Sequence, residues 1–408
     1  MFRKLLTLDE AREAVAHLEL TALGTEQVPL LKAHNRVLAD DVTSGLDIPP
    51  FNRSTVDGYA VKAVDTFGAD EKAPVRLKVR GVVNIGELPK VRVSAGHAVE
   101  IVTGAPIPEG ADSVVMVEDT EKAGDELRVS STVTSGENVM KKGSDIKKGE
   151  TVLKAGQVLG SREIGVLAAL GHANVKVHVV PRVAVLSTGG EVTEPGRELP
   201  AGKIFDINAY TLYAAVLESG GSPIYLGVVP DDKLKLREAL KKALDVADIV
   251  LTSGGVSVGP KDLMPVTVAS LGEPGLIFSG VAVKPGKPTT VALVGRKVVF
   301  ALPGHPTSAL LMFHLLVRPV VWRLSGRAAA RAETIRALAG MRFFSAKGRR
   351  TFIMVKLRKN GEGRVVAEAV ETGASGAITT LAKADGYVEI PENQQFVDKD
   401  EEVEVALF

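Results

Sequence analysis

The chain has 408 residues, 45% of them hydrophobic and 4% aromatic, with no cysteine, and 50 basic against 49 acidic side chains leave a formal charge of +1. A chain of this length buries large cores and divides into several domains. Its charge balance offers no bulk attraction to nucleic acid or to an acidic membrane, the scarcity of aromatics leaves little for base stacking, and the absence of cysteine excludes disulfides, thiolate zinc sites and cysteine nucleophiles.

The N-terminal stretch MFRKLLTLDE carries basic residues, but acidic Asp9 and Glu10 arrive before any apolar run, so no export signal is expected and a cytoplasmic location fits. Thr7 with Glu10 forms a capping box, and Leu8, Ala11, Val15 and Leu18 recur on one helical face. After Asp40 the texture changes to SGLDIPPFNRSTVDGYAV, where Pro49 and Pro50 bar helix and Asn52, Arg53, Ser54, Thr55 and Asp57 crowd together. Short β-like runs from Pro74 to Lys148 read as an inserted all-β domain, with Thr103 and Gly104 at one strand end. Ser161 caps the helix SREIGVLAAL and Gly171 ends it; this helix and the first are expected to pack together.

Beyond Pro181 strands and helices alternate, the signature of βαβ units. The helix from Lys233 to Ala247 places Leu236, Leu240, Ala243 and Leu244 on one stripe and its charges outside. A helix capped at Thr307 or Ser308 follows, and its apolar part, Ala309 to Val317, is expected to close at Arg318 and Pro319, short of the ~20 residues of a membrane span. The end of the chain reads as a small β barrel, with Asn360 and Gly361 at a hairpin turn. The expected fold class is multi-domain α/β plus β: a helical and linker domain (1–44 with 146–180), an inserted β-rich domain (45–145), a central doubly wound α/β domain (181–325) and a C-terminal small β barrel (326–408).

Within the α/β domain, DIVLTSGGVSVGPKD (Asp248 to Asp262) reads as a buried strand, a glycine loop and a helix start, the arrangement by which doubly wound proteins present a ligand site. Ser253 and Ser257 supply hydroxyls, Gly254 and Gly255 free the backbone, and Lys261 and Asp262 bring a cation and a carboxylate. Pro260 after Gly259 breaks the P-loop pattern, which argues against a nucleotide triphosphatase. An ordinary strand-to-helix turn is the plain alternative for one such loop. Three more loops, in VLSTGGEV, VKPGKP and ALPGHPTS, also end β runs with glycine and polar groups, and four converging at one sheet edge make a pocket.

The ordered motifs PPFNRSTVDGYAV, VTGAPIPEGADSVVMVED, STGGEV, TSGGVSVGPKD, VKPGKP and LPGHPTSAL resemble the molybdopterin molybdenumtransferase family over essentially the whole chain. The resemblance implies an enzyme that inserts molybdate into adenylated molybdopterin with Mg²⁺, releases AMP and acts as a homodimer. The adenylyltransferase that supplies the substrate is an implied partner. The resemblance assigns Asp57, Thr103 and Asp262 to catalysis, with Asp57 and Thr103 reaching toward the partner's sheet. Ser253, Gly254, Gly255, Ser257, Lys284, Lys287, Pro288, Pro303, Ser308, Arg350 and Ser375 fall to substrate, and Glu191, Asp231 and Asp262 to metal. Charge chemistry agrees, since molybdate is a tetrahedral dianion that needs cations and donors, and hard Mg²⁺ takes carboxylate and phosphate oxygens.

Asp231 beside Asp232 has a second reading as a helix cap, and the two lysines a second reading as solvated loop charges. His305 stands where the family has asparagine and Thr307 where it has an apolar residue; with no second histidine at ligand spacing, zinc is not expected. Tungstate has nearly the size and charge of molybdate, and the residues do not separate the two. The competing functions are a sister adenylyltransferase, which lacks counterparts to Asp57, Thr103 and the terminal domain, and a non-enzymatic pterin-binding scaffold.

Overall fold

A computed structural model describes residues 5–255, 263–328, 333–370 and 378–408. The chain forms two compact units, one of Met1–Ala39, Gly156–Ser161 and Asn174–Phe408, the other of Asp40–Ala155 and Arg162–Ala173.

The first unit is built on a six-stranded sheet in the order Ser222–Val229, Arg182–Thr188, Ile249–Ser253, Lys297–Leu302, Thr290–Val294, Pro274–Ser279. Neighbours among the first four strands run parallel, and the last two are antiparallel. Alternation of side chains splits the strands between two cores: Val183 and Val185 face one layer with Leu212 and Val216 of the helix Asn208–Glu218, while Ala184 and Leu186 face the other with Leu236 and Leu240 of the helix Lys233–Val246. Every residue of Ile249–Ser253 is buried, as its apolar run requires of a strand covered on both faces. The domain is therefore doubly wound, as expected.

The first helix, Leu8–Ala16, has the expected capping box: Glu10 N–H donates to Thr7 Oγ1 (3.1 Å) and Thr7 N–H to Glu10 Oε2 (2.7 Å). Its stripe of Leu8, Ala11 and Val15 is part of the same core as Val183 and Phe300, so its apolar face is spent on the α/β body.

Two helix ends differ from expectation. His305, not Thr307 or Ser308, occupies the N-cap position, because Pro306, with its fixed φ and missing N–H, suits the first helical residue. Nor does the helix close at Arg318 and Pro319. A π-helical turn, Phe313–Val317, lets it continue as Arg318–Leu324, giving 19 helical residues from Pro306. This helix is long and apolar enough to cross a membrane, but 72% of its apolar window is buried inside the protein, where Leu311, Phe313 and Leu316 join the core.

The C-terminal strands close into a small barrel of five: Arg350–Lys359, Val365–Ala369, Thr334–Ala339, Glu402–Leu407 and Gly386–Ile390, which pairs back to the first. Asn360 shapes the expected hairpin, its Oδ1 accepting from Glu362 N–H (3.0 Å) and Arg364 N–H (2.9 Å), although Gly363 and not Gly361 takes the positive φ. The two-residue strand Val283–Lys284 pairs in parallel with Arg350 and Thr351, stitching the lysine loop to the barrel.

The second unit is built on a six-stranded sheet ordered Ser113–Met116, Gly58–Val61, His97–Ile101, Val75–Val83, Glu126–Val129, Thr120–Ala123, and it also takes in most of the helix Ser161–Ala169. Tyr59 and Val61 pack on one face with Leu77 and Val115, and Ala60 on the other with Val99 and Val114. Gly58, just after Asp57, must be glycine: a Cβ there would stand 1.9 Å from the Val115 carbonyl oxygen.

Candidate active site

Parallel pairing fixes what meets at the carboxyl edge of the α/β sheet. Val229, Thr188, Ser253 and Leu302 end adjacent strands, so the residues that follow them, Asp231, Glu191, Gly254 with Gly255, and Pro303 through Ser308, are arrayed side by side in that order. The lysine loop joins the same edge, because Thr290, which follows it, is paired with Ala301 and with Ser279. The helix after Arg182–Thr188 lies on one face and the helix Met264–Ala269 after Ile249–Ser253 on the other, so the crevice opens between Thr188 and Ser253.

The crevice walls touch. Thr188 Oγ1 donates to the Ser253 carbonyl (3.3 Å), and a Cβ on Gly254 or Gly255 would lie 2.3 Å from the Thr188 carbonyl oxygen or 2.9 Å from Thr188 Oγ1. Both glycines also have positive φ, +92° and +66°. Backbone alone fits there, and Gly254 N–H donates to the Leu302 carbonyl (3.3 Å).

Two residues that motif reading passed over organise the edge. Asn208 Nδ2 donates to Ser253 Oγ (2.7 Å) and to the Gly304 carbonyl (2.7 Å), and Ser253 Oγ donates on to the Pro303 carbonyl (3.1 Å). Asp206 Oδ1 accepts from Ser187 Oγ (2.8 Å) and from Ala209 N–H (3.1 Å), capping the helix Asn208–Glu218. The Asp-x-Asn spelling ahead of an apolar helical stripe was the available signal, since short polar side chains favour caps. Asp206 Oδ2, Asn208 Oδ1 and Thr307 Oγ1 are buried with no partner among the described residues.

The expected site residues separate into groups. Glu191, Asp231, Ser253, Gly254, Gly255, Pro303, Ser308, Lys287 and Pro288 share the carboxyl edge, and Lys284 lies where the lysine loop meets the barrel. Ser253 is 2% exposed and its hydroxyl is committed to Asn208 and Pro303, so it positions the loops. The cap reading belongs to Asp232, whose Oδ1 accepts from Leu234 and Lys235 N–H, leaving Asp231 exposed at the strand end. Ser257, Asp262 and Ser375 lie outside the described residues.

Arg350, expected at the oxyanion, is held by carboxylates. Its guanidinium pairs with both oxygens of Asp9 (2.8 and 2.7 Å), with Glu392 (2.9 Å) and with Glu389 (3.1 Å). Desolvation opposes the charge, but the hydrogen bonds the guanidinium donates to Asp9 and Glu392 outweigh that and raise its pKa. Arg12, 3.6 Å from Asp9 and 3.9 Å from Glu389, shares these carboxylates, so three carboxylates face two cations and the cluster's one net negative charge disfavours an incoming oxyanion. The preceding Arg349 is half-buried and has no carboxylate partner among the described residues.

In the other unit, Asp57 Oδ1 accepts from Thr103 N–H (2.6 Å) and Thr103 Oγ1 (2.9 Å), and these two bonds, the backbone one foremost, hold the carboxyl below its usual range. Asp57 is thus a carboxylate at neutral pH, equipped to accept or orient and not to donate a proton.

A glycine-lined crevice at the switch point of a doubly wound sheet, flanked by carboxylates and lysines, defines a ligand-binding α/β enzyme domain carrying a β insertion and a terminal barrel. Family models match in chain order: "MoeA N-terminal region (domain I and II)" over residues 6–171, "Probable molybdopterin binding domain" over 184–323, and "MoeA C-terminal region (domain IV)" over 336–408. A molybdopterin molybdenumtransferase of Bacillus subtilis is 34% identical over 98% of this chain and 94% of its own, and one of Nostoc is 36% identical over 93% and 88%. The crystal structure of a molybdopterin biosynthesis moea protein from Pyrococcus horikosii superposes with a TM-score of 0.84 at 43% identity, covering 99% of both chains. The chain belongs to the molybdopterin molybdenumtransferase family.

The pair Asp57 and Thr103 yields a pH prediction. Thr103→Val removes the hydroxyl donor and should raise the Asp57 pKa toward the ordinary carboxylate value, followed by carboxyl ¹³C shifts against pH. Because the folded pKa is the depressed one, stability from this pair is present above the unfolded pKa and fades as pH falls through the folded one. An unmoved Asp57 titration in the variant contradicts the assignment.

Proposed function

We propose that this chain inserts molybdate into adenylated molybdopterin, releasing AMP and molybdenum cofactor. The observation that carries this reading is the convergence of the lysine loop, the glycine crevice and two carboxylates on one sheet edge, beside a sequence that belongs to the family throughout. Molybdate is a tetrahedral dianion and must be desolvated against cations and N–H donors. Lys287, half-buried, supplies one charge and Lys284 a second, and Ser308, in the first turn of the helix from Pro306, adds a hydroxyl beside the unsatisfied N–H groups of that turn. Of the adjacent arginines, Arg349 takes the role expected of Arg350, because Arg350 is already neutralised by Asp9, Glu389 and Glu392.

The Gly254 and Gly255 backbone accommodates the phosphate side of the adenylate, where side chains would collide with Thr188. Among the described residues no group of three or more His, Cys, Asp or Glu is placed to hold a metal ion. Glu191 and Asp231 end neighbouring strands, however, and Mg²⁺ commonly takes only one or two protein carboxylates and completes its shell with phosphate and water, so this donor set fits an ion bound together with substrate. When bound, Mg²⁺ neutralises the phosphoanhydride oxygens. Asp57, ionised and fixed by Thr103, orients a donor of the substrate.

The working form we propose is a cytoplasmic homodimer supplied by an adenylyltransferase, with Asp57 of one copy serving the sheet of the other. Mixed dimers of Asp57→Ala and Lys287→Ala subunits should then recover part of the AMP release; proven heterodimers without recovery would mean that each subunit works alone.

The oxyanion cradle is tested by titrating molybdate with adenylated molybdopterin and Mg²⁺. Losing one charge-assisted contact costs about 1.5–3 kcal/mol, roughly tenfold to a hundredfold. Lys287→Ala and Arg349→Ala should raise the molybdate concentration for half-maximal AMP release by that factor, while affinity for the adenylated pterin changes little. Arg350→Ala should lower the unfolding temperature and leave the molybdate dependence near the parent's. The opposite pattern, with molybdate dependence lost in Arg350→Ala and retained in Arg349→Ala, returns the oxyanion to Arg350.

A further inference from the structure

Away from the carboxyl edge, a cavity of about 530 Å³ opens between the first helix and the end of the long helix, with Val15, Leu316, Pro319 and Val320 among its walls and Trp322 and Arg327 beside them. The chain places Arg327 there through its backbone. The long helix ends in a Schellman turn, Arg327 N–H donating to the Trp322 carbonyl (2.9 Å) and Gly326 N–H to the Arg323 carbonyl (3.1 Å), with Gly326 at φ +69°. This turn folds Arg327 back over the only tryptophan, its guanidinium carbon 4.4 Å from the ring centroid, and Arg318, one helical turn before Trp322, lies 4.9 Å from the same centroid.

The charges here are unbalanced. Of the other arginines at the cavity, Arg12 has Asp9 at 3.6 Å and Glu389 at 3.9 Å, and Arg323 donates to the Ala16 carbonyl (2.7 Å). Arg318 and Arg327 meet no carboxylate within ion-pair reach among the described residues, though both are partly buried. Burial lowers the pKa of each; for Arg318, Tyr387 opposes the lowering, and the neighbouring Arg327 charge adds to it by a smaller amount. Trp322 Nε1 is also buried without an acceptor among these residues. Two cations brought together, half desolvated and lacking a counter-ion, cost free energy that an anion would recover. The apolar walls state what else that anion must be, and the volume lies within the range of small-molecule pockets.

We infer that this cavity binds a small amphiphilic anion, an apolar body seated between the first helix and the long helix with a single anionic head group paired with Arg327. A concave cavity of this size favours a small molecule over a flat contact with another protein.

Because Trp322 is the sole tryptophan, its emission reports on this site alone in the full-length protein. Decanoate, titrated below its micellar concentration, should change that emission saturably, and decanol or decyltrimethylammonium should need at least about tenfold more. Arg327→Ala should weaken decanoate by a similar factor with Arg327→Lys intermediate, and Ala16→Phe, an exposed position at the cavity, should block it even if the arginine variants fold poorly. The inference is overturned if decanoate gives no saturable response, if decanol matches it, or if folded Ala16→Phe binds as well as the parent. It is likewise overturned if the emission shifts with protein concentration alone, which would assign the counter-charge to a second copy of the chain.

Discussion

One side-chain amide holds the candidate site together. Asn208 hands its two N–H donors to Ser253 and Gly304, and so ties the start of one helix to the ends of two central strands. Loops after parallel strands have no ladder partner of their own, and without such a tie their backbone groups would be satisfied by water in many arrangements. Ser253 relays the constraint to the Pro303 carbonyl, and Thr188 closes the other side of the crevice. The glycines are a consequence of this tightness: once Thr188 and Ser253 are in contact, no Cβ fits at 254 or 255.

Electrostatics then divides the labour between neighbouring residues of like type. Arg349 and Arg350 are adjacent in sequence, yet only Arg350 faces Asp9, Glu389 and Glu392, and it spends its charge joining the first helix to the barrel. Asp231 and Asp232 divide similarly, with Asp232 giving its carboxylate to two helix N–H groups and Asp231 remaining exposed at the strand end. In each pair the structural partner is the residue whose donors or acceptors are used up inside the protein. The functional candidate is the one left with capacity to spare.

Much of this was legible from residues alone. The buried run Ile249 to Leu251, the glycine loops, the Thr7 and Glu10 box and the Asn360 turn are local signals, because strand burial, cap geometry and turn conformation are decided within a few residues. The partners of Arg350 were not legible: Asp9 lies 341 positions away, and only the closed barrel brings them together. Asn208 hid for the same reason, its targets being 45 and 96 residues distant. Pro319 reads as a helix breaker by every local rule, and the π-helical turn before it, set among buried core residues, carries the chain past it.

The central claim is that one oxyanion seat lies at the carboxyl edge between the lysine loop and the first turn of the helix from Pro306. The most direct measurement is the anomalous diffraction of crystals soaked in molybdate or tungstate. A single strong peak within hydrogen-bond reach of Lys287 and the Ser308 hydroxyl is the predicted result. A peak at the Arg350 cluster, or none at the carboxyl edge at saturating oxyanion, would contradict it.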